Sequence, residues 1–335
     1  MMHFDSIGRR RFLQLGLSAG ITGLAGCTGT DLRAVLRGAP EILPKKWIRS
    51  LPSDWQYKPL EISKNQDPFG NAFRSRIDLL ALSDGWLEVL AEKTLSPIRS
   101  TGLDKRLGEQ AWSFLKSLKG GFASYVLPIG FTPWVMLFRN GENFLQEANN
   151  SWDALLDPAL KGLVVLPRSP RLLISISERL KSYDSLRQLK AQALTFDDKN
   201  ALNWLSNGDA RVAVVPLHQC LTSVRMDPRL SIAFPKDGVP LHWTLLVRPL
   251  KTRQPLPVSW IEKAWSPPLI GRIMAEGWIP AIPISERLEQ IKRVPSRFKP
   301  LIFPSADVWS RCWSLPPLTN QKKEDLRSKW YESTP

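Results

Sequence analysis

Residues 161–180 read KGLVVLPRSPRLLISISERL. Leu163–Leu166 is an apolar run of strand length, Pro167–Ser169 is a turn, and apolar residues then recur at helical spacing. Pro170 suits a helix start, because the N–H it lacks would have no partner in the first turn. The segment predicts strand, turn and helix, and the same order recurs on both sides. RIDLLALSDGWLEVLAEKTL (76–95) passes from the run Ile77–Leu82 through Ser83, Asp84 and Gly85 into a predicted helix. DKRLGEQAWSFLKSLKGG (104–121) sets Leu107, Ala111, Phe114, Leu115 and Leu118 on one helical face and exits at Gly120–Gly121. FDDKNALNWLSNGDARVAVVPLHQCL (196–221) predicts a helix capped by Asp197 or Asp198 that stops near Gly208, then a strand at Val212–Val215 and a helix opening at Pro216.

Apolar strands followed by helices imply α/β architecture with largely parallel sheets. In such sheets the ligand crevice lies beyond the carboxyl ends of the strands. Three such ends stand out: Ser83–Trp86, Pro167–Arg171, and Pro216–Leu217–His218. Each pairs polar groups with a predicted helix N-terminus, whose free N–H groups can hold anionic or carbonyl oxygens.

The chain has 335 residues, 43% hydrophobic and 23% charged, which suits a globular protein of about two domains and excludes a disordered one. The formal net charge is +15, yet the basic residues are scattered, with no long run and no nucleic-acid motif, so a nucleic-acid partner is not expected. Three histidines and three cysteines are present; His218 and His242 have no Cys/His partners at metal spacing, so no metal, no cofactor and no histidine-based triad is expected. Cys220 and Cys312 are two buried thiols or, after export, a disulfide.

The N-terminus carries a second message. In GRRRFLQLGLSAGITGLAGC (8–27), Arg9, Arg10, Arg11, Phe12 and Leu13 resemble the twin-arginine export motif. The apolar run Leu15–Ala25 is too short for the ~20 residues of a spanning helix. Leu24–Ala25–Gly26–Cys27 resembles the bacterial lipobox, which marks Cys27 for lipidation. Residues 1–27 are therefore expected to be a signal peptide, with the mature chain tethered by lipid in the periplasm and Thr28 to about Asp31 as the tether. The three arginines are opposed only by Asp5, so removal of the leader leaves the mature chain at +13.

Four stretches, in order behind that leader, resemble the spermidine/putrescine-binding branch of the solute-binding lipoproteins of bacterial ABC importers. They are DLLALSDGWLEVLAEKTLSPI (78–98), LPIGFTPWVMLFRN (127–140), SWDALLDPALKGLVVLPRSPR (151–171) and PKDGVPLHWTLLVRP (235–249). The resemblance implies a two-lobed periplasmic binding protein fold (type 2), each lobe a central mixed, largely parallel sheet flanked by helices and joined by two hinge crossings. One lobe would hold residues 31–127 plus 245–300. The other would hold 128–244, with 301–335 packed across it. It also implies a monomer that captures solute without catalysis and presents it to an ABC permease in the inner membrane, for polyamine transport in the best-known branch.

Carried over position by position, the resemblance implies ligand contacts at Ser83, Asp84, Trp86, Trp134, Arg168, Ser169, Arg171, His242, Trp243 and Thr244. Polyamine binders meet ammonium groups with carboxylates and stack methylenes between aromatic rings. Here Ser169, Leu172 and Thr244 stand where acids are expected, Arg168 replaces another acid, and Asp84 supplies one carboxylate. That pattern favours an anionic or zwitterionic solute, or a scaffold without solute, over a polycation. An exported enzyme is a further alternative, disfavoured by the absence of catalytic motifs.

Overall fold

The structure is a computed structural model. It describes residues 33–39, 41–60, 77–98, 101–118, 121–141 and 143–334. The leader, Cys27 and the tether lie outside the described residues.

The strands are β1 (Ala34–Gly38), β2 (Trp55–Pro59), β3 (Leu79–Ser83), β4 (Leu95–Ser96), β5 (Val126–Arg139), β6 (Val164–Leu166), β7 (Ala193–Phe196), β8 (Val212–Pro216), β9 (Leu230–Ala233), β10 (Leu241–Pro249) and β11 (Ile279–Pro280). They follow the order β2-β1-β3-β10-β5-β8-β6-β7. The path has two segments that share β5. In the first, β1 pairs parallel with β2 and β3, and β10 runs antiparallel between β3 and β5. In the second, β6 pairs parallel with β7 and β8, while β8 and β9 flank β5 antiparallel. Val126–Pro133 of β5 pairs with β10 and Trp134–Phe138 with β8, so one 14-residue strand serves both ladders. Its residues are buried throughout except Arg139, which explains why the sequence shows no alternation there.

The strand–turn–helix unit at 161–180 forms as its sequence implies. Pro170 occupies the first turn of the helix Pro170–Ser177, and the Ser169 hydroxyl accepts the Leu172 N–H at 3.3 Å. The helix Glu109–Ser117 buries Ala111, Phe114 and Leu115 on the predicted face. The helix Ala201–Asn207 stops at Gly208, whose φ of 87° places it in the left-handed region.

Two local expectations change. The segment after β3 is a short 3-10 turn, Asp84–Glu88, rather than a long helix. Neither Asp197 nor Asp198 caps the helix Ala201–Asn207, because a 3-10 turn, Asp198–Asn200, intervenes. Asp198 instead accepts the Arg168 backbone N–H at 2.9 Å, and Asp197 accepts from the Asn200 amide at 2.8 Å.

Tryptophans fill much of the core. Trp47 and Trp260 stack at 4.3 Å, and each indole N–H donates to the other's carbonyl, at 2.9 and 3.1 Å. Buried indoles need such a partner to offset lost hydration. Trp278 lies across β5 at Gly130 and donates to the Thr244 hydroxyl at 3.0 Å. A Cβ at Gly130 would sit 2.2 Å from that ring, so only glycine admits the approach. Cys220 and Cys312 are free thiols. Among the described residues, no helix is long and apolar enough to cross a membrane.

Candidate functional site

The polar end of β3, the shared strand β5 and its neighbour β10 meet around Asp84. Its carboxylate is 4% exposed, accepts the Trp243 backbone N–H at 3.3 Å and lies 3.8 Å from His242 Nδ1. Burial raises its pKa from 3.8 to about 7, against the pull of the Trp243 N–H and of Arg171. His242 meets the Trp134 ring edge-on at 5.8 Å. Burial pushes the His242 pKa down to about 4, with Asp198 acting weakly the other way. His218, at the carboxyl end of β8, is pushed down to about 3, first by burial and then by His242. Its backbone N–H donates to Thr132 at 3.2 Å, and its Nδ1 is buried with no hydrogen-bond partner. At neutral pH both imidazoles are therefore uncharged and Asp84 is near half-ionised.

His218 links this cluster to a cavity of about 500 Å³. Glu41, Lys45, Lys46, Glu276 and Trp278 line it from the elements of the first segment, and Asp198, Lys199, Leu202, His218 and Gln219 from those of the second. Lys46 and Glu276 pair at 2.6 Å within the wall. Glu41 holds a φ of 61°, a left-handed conformation uncommon away from glycine, on the loop after β1. On another side, Arg171 reaches across to Glu88 at 2.6 Å and donates to the Pro316 carbonyl. Burial lowers the Arg171 pKa, while Glu88 and Asp84 raise it.

Arg171 bridges Glu88 and Pro316, and the other residues singled out by sequence fall into three groups. Asp84, Trp134 and His242 come together as described. Ser83 pairs with Thr244 across β3 and β10, and Trp86 is half-buried in the 3-10 turn. The remaining four each have protein partners. Arg168 is 56% exposed at its side chain and is held by Asp197. Ser169 caps its helix. Trp243 is fully buried, stacked on Phe114 at 4.8 Å and tilted against Phe131 at 4.9 Å. Thr244 is 2% exposed and bonded to Trp278 and to the Ile42 carbonyl. Sequence reasoning marked His218 only as part of a strand end and gave Asp198 a capping role. Glu41 had no sequence signal, since its position depends on a backbone angle.

No family model matches the chain, and no curated protein matches it. Solved structures do. The Tp0655 (TpPotD) lipoprotein of Treponema pallidum superposes with a TM-score of 0.68 at 14% identity, covering 90% of this chain and 99% of that one. A putative spermidine/putrescine ABC transporter protein from Listeria monocytogenes gives 0.60 at 16% identity, covering 90% and 98%. A ferric binding protein from Campylobacter jejuni gives 0.56 at 15% identity, covering 90% and 99%. The fold is thus that of the type 2 periplasmic binding proteins, and at these identities the likeness is one of fold.

Proposed function

We propose that the chain is an extracytoplasmic solute-binding lipoprotein that captures a small solute between two lobes and offers it to an ABC permease. The lobes are residues 31–127 plus 245–300, and 128–244, with 301–335 packed across the second. β5 and the stretch leading into β10 are the hinges. Export follows the twin-arginine route, and Cys27 carries the lipid. The observation that carries this reading is the cavity of about 500 Å³ walled by charged and aromatic side chains from both sheet segments. A volume of this order holds a small metabolite. Closing two lobes on a solute stabilises the closed form by the solute's differential affinity for it.

The wall sets Glu41, Asp198 and Glu276 against Lys45, Lys46, Arg49 and Lys199. A site with both signs and no net negative charge suits a zwitterion of amino-acid type. A compact polycation would leave ammonium groups without counter-charges, at several kcal/mol per buried ion. One observation favours a second reading, a monoamine or polyamine: Glu41 and Asp198 supply carboxylates to the wall that positions 169, 172 and 244 do not.

A thermal-shift panel of amino acids, polyamines and organic anions tests both. A solute at 100 times its Kd adds about 2.7 kcal/mol to apparent stability. Zwitterions should raise Tm; a rise with spermidine or putrescine alone selects the second reading. No rise with any class at millimolar concentration removes solute capture and leaves a scaffold. Radiolabelled palmitate should enter the wild type and not Cys27→Ser; equal labelling removes the anchor.

A further inference from the structure

The backbone from Trp313 to Pro317 runs as an irregular arm that touches both sheet segments. Cavities of about 570 and 460 Å³ lie on its flanks, one walled by the helix Glu109–Ser117 and the other by the helix Pro170–Ser177. On the side of the first segment, Ser314 Oγ accepts the Trp243 indole N–H at 2.8 Å, and Trp243 is stacked on Phe114. On the side of the second, Trp313 Nε1 donates to Ser175 at 3.3 Å, and the Arg179 guanidinium lies 4.5 Å over the Trp313 ring. The Pro316 carbonyl accepts from Arg171. Arg171 in turn pairs with Glu88, on the turn that follows β3.

The last helix, Asn320–Glu332, completes the network. Its Lys323 lies 3.7 Å from the second oxygen of Glu88. Its Lys329 pairs with Glu178 at 2.9 Å, and the Trp330 carbonyl accepts from Lys190 at 2.9 Å. Glu88 therefore stands between a cation from each side, with Arg171 and Glu88 side chains only 17% and 22% exposed. Partly buried, hydrogen-bonded ion pairs resist screening better than surface pairs.

We propose that the C-terminal arm, residues 313–332, is a latch on the cleft. Through Pro316 and Lys323 it holds Arg171 and Glu88 together, and through Ser314 it holds Trp243, so that the two lobes stay closed without solute. Wide opening requires the arm to let go. The latch rests on the two-lobe reading above, and its test uses no solute, so absence of any thermal shift in the panel leaves it standing.

The test is the distance between spin labels on Met226→Cys and Leu250→Cys, two exposed sites on the two sides, in a Cys27→Ser, Cys312→Ser background; Cys220 is buried and unlabelled. Pulsed electron resonance should give one narrow distance for the otherwise unaltered protein. Glu88→Gln and Lys323→Gln should each add a second distance, raising the open fraction from below ~10% toward half, as a few-kcal/mol two-state gap allows. Lys322→Gln, one residue away and outside the ion-pair network, should leave the distribution unchanged. Truncation after Cys312 should open the protein fully if it folds; the two single substitutions decide if it does not. An unchanged distribution in both Glu88→Gln and Lys323→Gln overturns the latch, as does a broad distribution in the unaltered protein.

Discussion

Asp84→Asn isolates the cost of burying a carboxylate at the end of β3. The rise from 3.8 to about 7, at 1.36 kcal/mol per pH unit, is worth roughly 4 kcal/mol. For an acid with a raised folded pKa, the folded state binds more protons than the unfolded one between those values. The stability that this contributes is complete below about pH 3.8 and is lost as pH climbs through about 7. The variant should therefore match the wild type near pH 4 and exceed it by up to roughly 4 kcal/mol at pH 8. Asparagine keeps an oxygen for the Trp243 N–H, so little packing is lost. His218 and His242 act in the opposite sense. Their depressed values, about 3 and about 4, make stability complete above pH 6.5 and reduce it as pH falls through them. Between about pH 4.5 and 6 the wild type thus gains about one proton's worth of slope, ~1.4 kcal/mol per pH unit, and Asp84→Asn about twice that. Urea unfolding followed by tryptophan fluorescence from pH 4 to 8.5 measures both. A difference that does not vary with pH, or a variant less stable than wild type at pH 8, refutes the reasoning. It would mean that Arg171 stabilises the carboxylate more than burial penalises it.

Gly130→Ala should cost about 1–3 kcal/mol in chemical denaturation, because the added methyl meets the Trp278 ring at 2.2 Å; an unchanged midpoint would show that the indole can move aside freely. Arg287 is fully buried, with Phe131 and Trp309 rings 5.8 and 5.7 Å away and the Gln110 oxygen at 3.5 Å. Burial lowers its pKa to about 10, a penalty of roughly 3 kcal/mol, so Arg287→Met should be neutral or up to ~2 kcal/mol stabilising after loss of the ring contacts. A loss above ~3 kcal/mol would reveal a counter-charge bound beside it. Trp260→Phe should lower Tm, since the 4.3 Å stack shrinks and the Trp47 carbonyl, though it keeps Ser50, loses the indole donor; an equal Tm would assign the pair's stability to area alone.

Much of the fold was legible because its signals are local. An apolar run, a turn and a proline at a helix start decide 161–180 within twenty residues, and Gly208 marks a helix end through a backbone angle that glycine adopts freely. The site was legible in part. Asp84 and His242 sit at a strand end and on β10, where parallel-sheet logic directs attention. The packing of Trp243 on Phe114 was not legible, because an indole on β10 reads the same whichever way it faces. The bond between Thr244 and Trp278 was not legible for a similar reason: the partner lies 34 residues away. Glu41 entered the wall by a left-handed φ that glutamate composition does not announce. The arm at 313–317 reads WSLPP, without periodicity, so nothing in it forecast contact with both sheet segments.

The double service of β5 limits how the halves can move. Pro133, which has no N–H to give, stands where the strand hands over from β10 to β8. The ladder to β8 runs without a break and the ladder to β10 carries one register shift, between Thr244 and Leu245, so any slide of the strand would misalign both at once and turn every side chain to the wrong face. The joint can twist but cannot translate. Any rotation of one sheet segment against the other about β5 should therefore preserve the residue-to-residue alignment of both ladders.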